Sequence, residues 1–292
     1  MIAYSNLFYG LCIVFSIWET VVRLQLLPLD PSFYLFVFTG TVLFYNYPYF
    51  NNRLAVVDNP RAKWYIHHRK LALWNVYLCA LLFLISGLYL GFDYHEVIFQ
   101  WSFSKWILVL IFPFIGAWYY GADNISKLIR LRDIGWLKPL VIGLVWAGVS
   151  VIYPFVFSDV ASASHTNFNG LTVMLFLKCT MYLTMLAILF DIKDMIADKT
   201  LNLKTVILRL GIEKTMSFII IPLTLLGLIV FLSFAYFSSF SWLKTLLLAI
   251  PFITLIFVTK FFNKQRSLLF YLLVIDGLII WKAMFGILAF GF

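Results

Sequence analysis

Three aspartates, Asp191, Asp194 and Asp198, stand at i, i+3 and i+7 in the stretch FDIKDMIADKTLNLKTVILRLG, residues 190 to 211. At 3.6 residues per turn this spacing places them within an arc of roughly 60° on one helix face. Like charges this close repel one another, so the arrangement is costly unless a cation joins them. Hard carboxylate oxygens at this spacing suit Mg²⁺ bridged to a phosphate. Lys199, Lys204, Thr205 and Arg209 follow, donors that could hold the anion itself. The chemistry indicated is metal-assisted reaction of a diphosphate, with the three aspartates as catalytic and metal-binding groups. The competing reading is solvated charge capping the end of a membrane helix.

The elements that must carry this stripe are set by composition. The chain is 63% hydrophobic, 20% aromatic and 12% charged, with a mean hydropathy of +0.95, which leaves too little polar surface to clothe a soluble globule of 292 residues. Apolar runs long enough to cross a hydrocarbon core of ~30 Å recur throughout. Nine are predicted, at about 5–24, 32–50, 72–92, 104–121, 137–157, 171–190, 214–235, 242–260 and 268–290, in a single all-α polytopic membrane domain.

Basic residues set the expected orientation. Arg53, Arg61, Lys63, Arg69, Lys70, Lys127, Arg130, Arg132, Lys138 and the basic residues after the sixth and eighth spans fall on one side, whereas the other keeps Arg23, Lys105 and Lys244. The positive-inside rule then places the aspartate stripe on the cytoplasmic face, with a plasma (inner) membrane location expected. The net charge of +9 fits anionic lipid and an anionic substrate, and no aromatic platform is interleaved with the basic residues to suggest nucleic acid. Residues 7–18 lack a basic leader and a small-residue cleavage site, so an uncleaved first helix is expected. Cys12, Cys79 and Cys179 all lie in predicted spans, unpaired in spacing, and read as packing residues.

A nine-span chain whose sixth span ends in D-x-x-D-x-x-x-D, followed by Lys204-Thr205 and Leu210-Gly211, resembles the UbiA superfamily of intramembrane prenyltransferases. The stripe falls on that family's second aspartate-rich motif, and LRDIGWLKPL, residues 131 to 140, is similar to the basic connection ahead of its fifth helix. The resemblance implies nine helices around a central cavity and a prenyl diphosphate bound through Mg²⁺. It further implies ionisation of that diphosphate to an allylic carbocation and delivery of the chain to a hydrophobic or aromatic acceptor. A terpene cyclase of the same superfamily, or a non-catalytic lipid-binding or transport protein on the same scaffold, are the alternatives.

The family's first motif, N-D-x-x-D-x-x-x-D, is missing. After the second span the chain reads FYNYPYFNNRLAVVDNPR, residues 44 to 61, and no register restores three carboxylates. The neutral oxygens of Asn46, Asn51 or Asn52 bind Mg²⁺ more weakly than carboxylates do. Arg53 is the expected substitute, a guanidinium able to grip diphosphate oxygens in place of lost metal, and its competing role is that of a topogenic anchor. With Arg53, the residues expected to hold diphosphate are Asn46, Lys127, Arg130 and Lys204. His67 and His68 read as an interfacial connector, and Lys178 and Asp276, each within a predicted span, as a mutual ion pair.

Overall fold

The structure, a computed structural model, describes residues 4–50, 60–120, 131–162, 170–200, 203–262 and 266–291. Among these residues it is helical throughout, without strands. Helix α1 spans Leu7–Arg23, α2 Pro31–Phe50, α3 Pro60–His67, α4 Arg69–Asp93 and α5 Phe103–Tyr120. The remaining long segments are α6 Lys138–Ser158, α7 beginning at Gly170, α8 Ile212–Phe237, α9 Trp242–Thr259 and α10 Leu268–Gly291.

Seven of these, α4 to α10, are long and apolar enough to cross a membrane, against nine predicted spans. The predictions at 5–24 and 32–50 coincide with α1 and α2, which are helical and lie outside this set. α1 has 17 residues, and the C-terminal turns of α2 carry Asn46, Pro48 and three tyrosines, which dilute its hydropathy. Both are well embedded: Cys12 and Ile17 of α1 and Val42 of α2 are fully buried.

The helix that matters most for the site is α7. It runs Gly170–Thr200, 31 residues, or about 46 Å at 1.5 Å per residue, well beyond a hydrocarbon core of ~30 Å. The predicted sixth span stopped at 190; the helix continues through all three aspartates, because no Gly or Pro interrupts it and the core claims its apolar face. Tyr182, Met185, Leu189 and Ile192 are buried on it, making α7 the central post of the bundle.

Close approach of α6 to α7 depends on Gly143, where an added Cβ would lie 2.3 Å from Thr184 Oγ1 and 2.7 Å from the Thr180 carbonyl. Five residues earlier on α6, Lys138 is thereby brought against the aspartate turns. In α10 a π-helical turn over Tyr271–Ile275 immediately precedes Asp276, and its widened register carries that carboxylate inward. Pro48, Pro113 and Pro251 sit inside α2, α5 and α9, where each removes an i→i−4 hydrogen bond.

Candidate active site

The three aspartates meet a cavity of about 190 Å³ at one end of the bundle. Asp191 and Asp198 are buried, and both engage Lys138: its Nζ lies 2.7 Å from Asp191 Oδ1 and 3.3 Å from Asp198 Oδ2. Asp194, between them in sequence and with a side chain 30% exposed, pairs with Lys193 at 3.2 Å. The stripe is therefore a built charge cluster and not a solvated cap. Lys138 joins the outer two carboxylates, those at i and i+7 of the stripe.

Carboxylate oxygens are the right donors for Mg²⁺, and Asp191 Oδ2 is buried with no hydrogen-bond partner, an orphan that a cation would satisfy. Among the described residues no three His, Cys, Asp or Glu side chains converge closely enough to hold a metal ion by themselves. Lys138 already stands between two of the three, so a metal held by these carboxylates would share them with an ammonium group and would need further ligands from a phosphate. On donor chemistry the residues fit.

Opposite the stripe stands Arg61, the second residue of α3, buried and stacked near two tyrosine rings, with its guanidinium carbon 5.6 Å from Tyr9 and 5.5 Å from Tyr49. Its Nε donates to the Tyr4 carbonyl at 3.1 Å. Burial opposes its charge, but the Tyr49, Tyr9 and Tyr65 phenols favour it, and on balance the guanidinium is held above its ordinary range and stays cationic. Tyr9 also hydrogen-bonds Asp276, whose buried carboxylate reaches the same cavity with Oδ2 unpartnered. Arg61, Tyr9 and Asp276 thus form a second polar wall facing the aspartates.

Several expectations resolve differently. Asn46 does not line the cavity. Its side chain donates to Val42 O at 2.7 Å and Ser5 O at 3.4 Å, and accepts from Asn6 Nδ2 at 3.3 Å and from the Tyr65 hydroxyl, tying α1, α2 and α3 together. Lys204 is exposed and absent from the cavity wall. Arg53, Lys127 and Arg130 lie outside the described residues. Lys178 and Asp276 do not pair: Lys178 Nζ sits over Phe231 and Phe252 at 5.1 and 5.3 Å, while Asp276 belongs to the cavity. His67 and His68 are exposed, with His68 stacked on Trp64. Sequence reading gave no role in the site to Arg61, Lys138, Tyr9 or Asp276, although Arg61 and Lys138 were read as orienting charge and Asp276 as an intramembrane carboxylate. Their signals were a basic residue directly after Pro60, a basic residue opening the fifth span, and a carboxylate inside the ninth.

Behind the polar cavity lies an apolar one of about 310 Å³, sharing Tyr45, Tyr119, Tyr120, Ile142 and Trp146 with it. An aromatic collar marks the junction. Tyr9 stacks on Tyr45 at 4.3 Å, Trp146 Nε1 donates to the Tyr45 hydroxyl at 2.6 Å, and Tyr9 and Trp146 meet edge to face at 6.2 Å. Deeper in, Phe36, Phe83, Phe112 and Gly116 line the wall. The whole is a charged mouth, an aromatic neck and a greasy chamber, shaped for an amphiphile whose anionic head stays at the aspartate end.

No protein-family model matches this chain, and no curated protein matches it by sequence. A solved structure of digeranylgeranylglyceryl phosphate synthase in membranes does match, at 18% identity, over 99% of this chain and 96% of that one, with a TM-score of 0.54. At this identity the likeness shows the fold alone: this chain shares the all-helical membrane fold of that structure.

Proposed function

We propose, from the UbiA-type fold, that this chain is an intramembrane enzyme that ionises a prenyl diphosphate and transfers the prenyl chain to a hydrophobic or aromatic acceptor. The observation that carries the reading is that the cavity lined by Asp191, Asp194, Asp198 and Lys138 shares Tyr45 and Trp146 with an apolar chamber. The structural neighbour, digeranylgeranylglyceryl phosphate synthase, carries an activity of the same kind in its name. Mg²⁺ held by Asp191, Asp194 and Asp198 would neutralise charge gathering on the departing diphosphate.

The chain's own residues do the rest. Lys138 and Lys193 on one side and Arg61 on the other present N–H donors to phosphate oxygens, so the leaving group is gripped from both walls of a dry site. As the allylic C–O bond breaks, the electron pair leaves with diphosphate, and the cation left behind faces the rings of Tyr9, Tyr45 and Trp146. Attack by the acceptor forms the new bond and releases a proton, and Asp276 Oδ2, buried and unpartnered, is the base placed to take it.

The test is incubation of the purified, reconstituted protein with prenyl diphosphates of graded length, Mg²⁺ and candidate acceptors, followed by extraction of products. Adducts support transfer, whereas cyclic hydrocarbons formed without an acceptor would move the assignment to a cyclase. Absence of diphosphate release from every donor would sink both and leave a lipid-binding role.

Two further results are expected. Diphosphate release should vanish in EDTA and return with added Mg²⁺, and Asp194→Ala should lose most of it, because its side chain is the aspartate of the stripe that Lys138 does not bind; activity unchanged in EDTA would remove metal from the scheme. The second concerns the chamber. At Gly116 a Cβ would meet the Phe44 ring at 3.2 Å, so Gly116→Leu pushes several more carbons into the lining. The longest donor accepted should shorten while turnover of the shortest persists, and an unchanged chain-length profile would show that the tail lies elsewhere.

A further inference from the structure

At the opposite end of the bundle lies a second concentration of charge. Lys178 stands 13 residues before Asp191 on α7, about 20 Å along the axis, and Arg23 is as far from Tyr9 along α1. Glu19, Arg23 and Lys282 are all buried there. Lys282 Nζ contacts Glu19 Oε2 at 2.6 Å, and Arg23 Nη1 lies 3.8 Å from Glu19 Oε1, too long for a hydrogen bond. Lys178 feels the charges of Glu19, Arg23 and Lys282. Lys244 completes the group: its Nζ is 3.5 Å from the Phe290 ring, and the Arg23 guanidinium approaches the same ring at 5.4 Å.

Among the described residues, one carboxylate, Glu19, thus stands among the basic side chains of Arg23, Lys178, Lys244 and Lys282. The imbalance is focused on Arg23, which is 5% exposed and whose Nε and Nη1 are buried without hydrogen-bond partners. Arginine has no neutral form to retreat to, and a guanidinium with idle donors in an apolar interior is costly unless an anion meets it. The level in the membrane identifies which anion. Trp242, Tyr236 and Phe237, 77%, 81% and 83% exposed, form an outward-facing aromatic belt at this end, and such belts mark the depth of lipid headgroups. Lys244 lies two residues from Trp242 and is half-buried, between belt and cluster.

We propose that Arg23, Lys244 and Lys282 form a binding site for a phosphate-bearing anion at the membrane face opposite the aspartates. The phosphate can come from an anionic phospholipid of that leaflet or from solution. Arg23 supplies two N–H donors, Lys244 guides the headgroup in beneath the aromatic belt, and Glu19 holds Lys282 in place while limiting the net positive charge.

The thermal midpoint of the purified protein, titrated with phosphatidylglycerol, phosphatidylcholine or inorganic phosphate, tests this without reference to catalysis. Phosphatidylglycerol should raise the midpoint and phosphatidylcholine should not. Lys244→Gln, at a half-exposed position that leaves the fold intact, should require about tenfold more phosphatidylglycerol for the same shift, as expected for loss of one charge-assisted contact. Arg23→Gln should abolish the response, and Glu19→Gln should strengthen it, because the competing anion is gone; a purely structural Glu19–Lys282 pair would give only destabilisation. A full response to inorganic phosphate alone keeps the site and makes free phosphate its ligand. Equal responses to both lipids, or an unaltered response in Lys244→Gln, would overturn the proposal.

Discussion

Lys138→Met should lower diphosphate release by about 10² or more and destabilise the protein at the same time. The two effects share one cause. Lys138 Nζ is the group that joins Asp191 to Asp198, at 2.7 and 3.3 Å, and both carboxylates are buried. Without the ammonium both buried carboxylates on this helix face lose a counter-ion, and breaking a buried ion pair by removing one partner typically costs ~3–5 kcal/mol. Loss of activity alone would then be ambiguous. A second variant separates the terms: in Lys138→Met with Asp198→Asn, one of the stranded charges is neutralised, so much of the stability should return. Activity should not return, because the cation that faces the diphosphate is still missing. The paired measurement is the thermal midpoint and the rate of diphosphate release with Mg²⁺ present. Recovery of both in the double variant would make Lys138 a structural counter-ion only, and near wild-type release by Lys138→Met itself would remove it from the site.

Why Lys138 and Arg61 escaped sequence reading, while Asp191, Asp194 and Asp198 did not, follows from what periodicity can express. An i, i+3, i+7 pattern is local and survives any packing of the helix, so the acidic face was visible before the fold. Seven of the nine predicted spans, those of α4 to α10, were equally legible, since long apolar runs admit few alternatives. The partner of a charge is a tertiary fact. Lys138 reaches α7 because Gly143 lets two helices touch, and nothing in the spacing of LRDIGWLKPL shows that contact. Asn46 misled for the same reason: it occupies the place of a motif residue, yet Asn6, Ser5, Val42 and Tyr65 consume its amide. Asp276 was noticed as an intramembrane carboxylate and given the wrong partner. Its placement depends on the π-helical turn at Tyr271–Ile275, which shifts the helical phase in a way that a 3.6-residue period cannot foresee.

Arg61→Lys should reduce turnover by roughly 10²-fold while leaving membrane insertion and expression unchanged. The sequence lacks the first aspartate motif, and among the described residues it is Arg61 that brings a buried cation to the cavity beside Tyr9 and Asp276. Its guanidinium does two things at once that an ammonium cannot: it donates through Nε to the Tyr4 carbonyl and lies against the Tyr9 and Tyr49 rings, at the lining of the cavity. Lysine preserves the positive charge, so the topogenic signal of this segment is intact and an anchor would tolerate the change. The fork geometry that grips two phosphate oxygens is lost, and with it the contact that strengthens as charge accumulates on the leaving group. A parallel Tyr9→Phe variant isolates the relay to Asp276. It retains the ring beside Arg61 and removes the hydroxyl, so ionisation of the donor should proceed while capture by the acceptor slows. Diphosphate release measured against adduct formation distinguishes the two: Arg61→Lys should depress both together, and Tyr9→Phe should uncouple them. If Arg61→Lys forms product at the wild-type rate, the guanidinium is a structural brace between α1 and α3, and ionisation rests on the α7 aspartates and Lys138 alone.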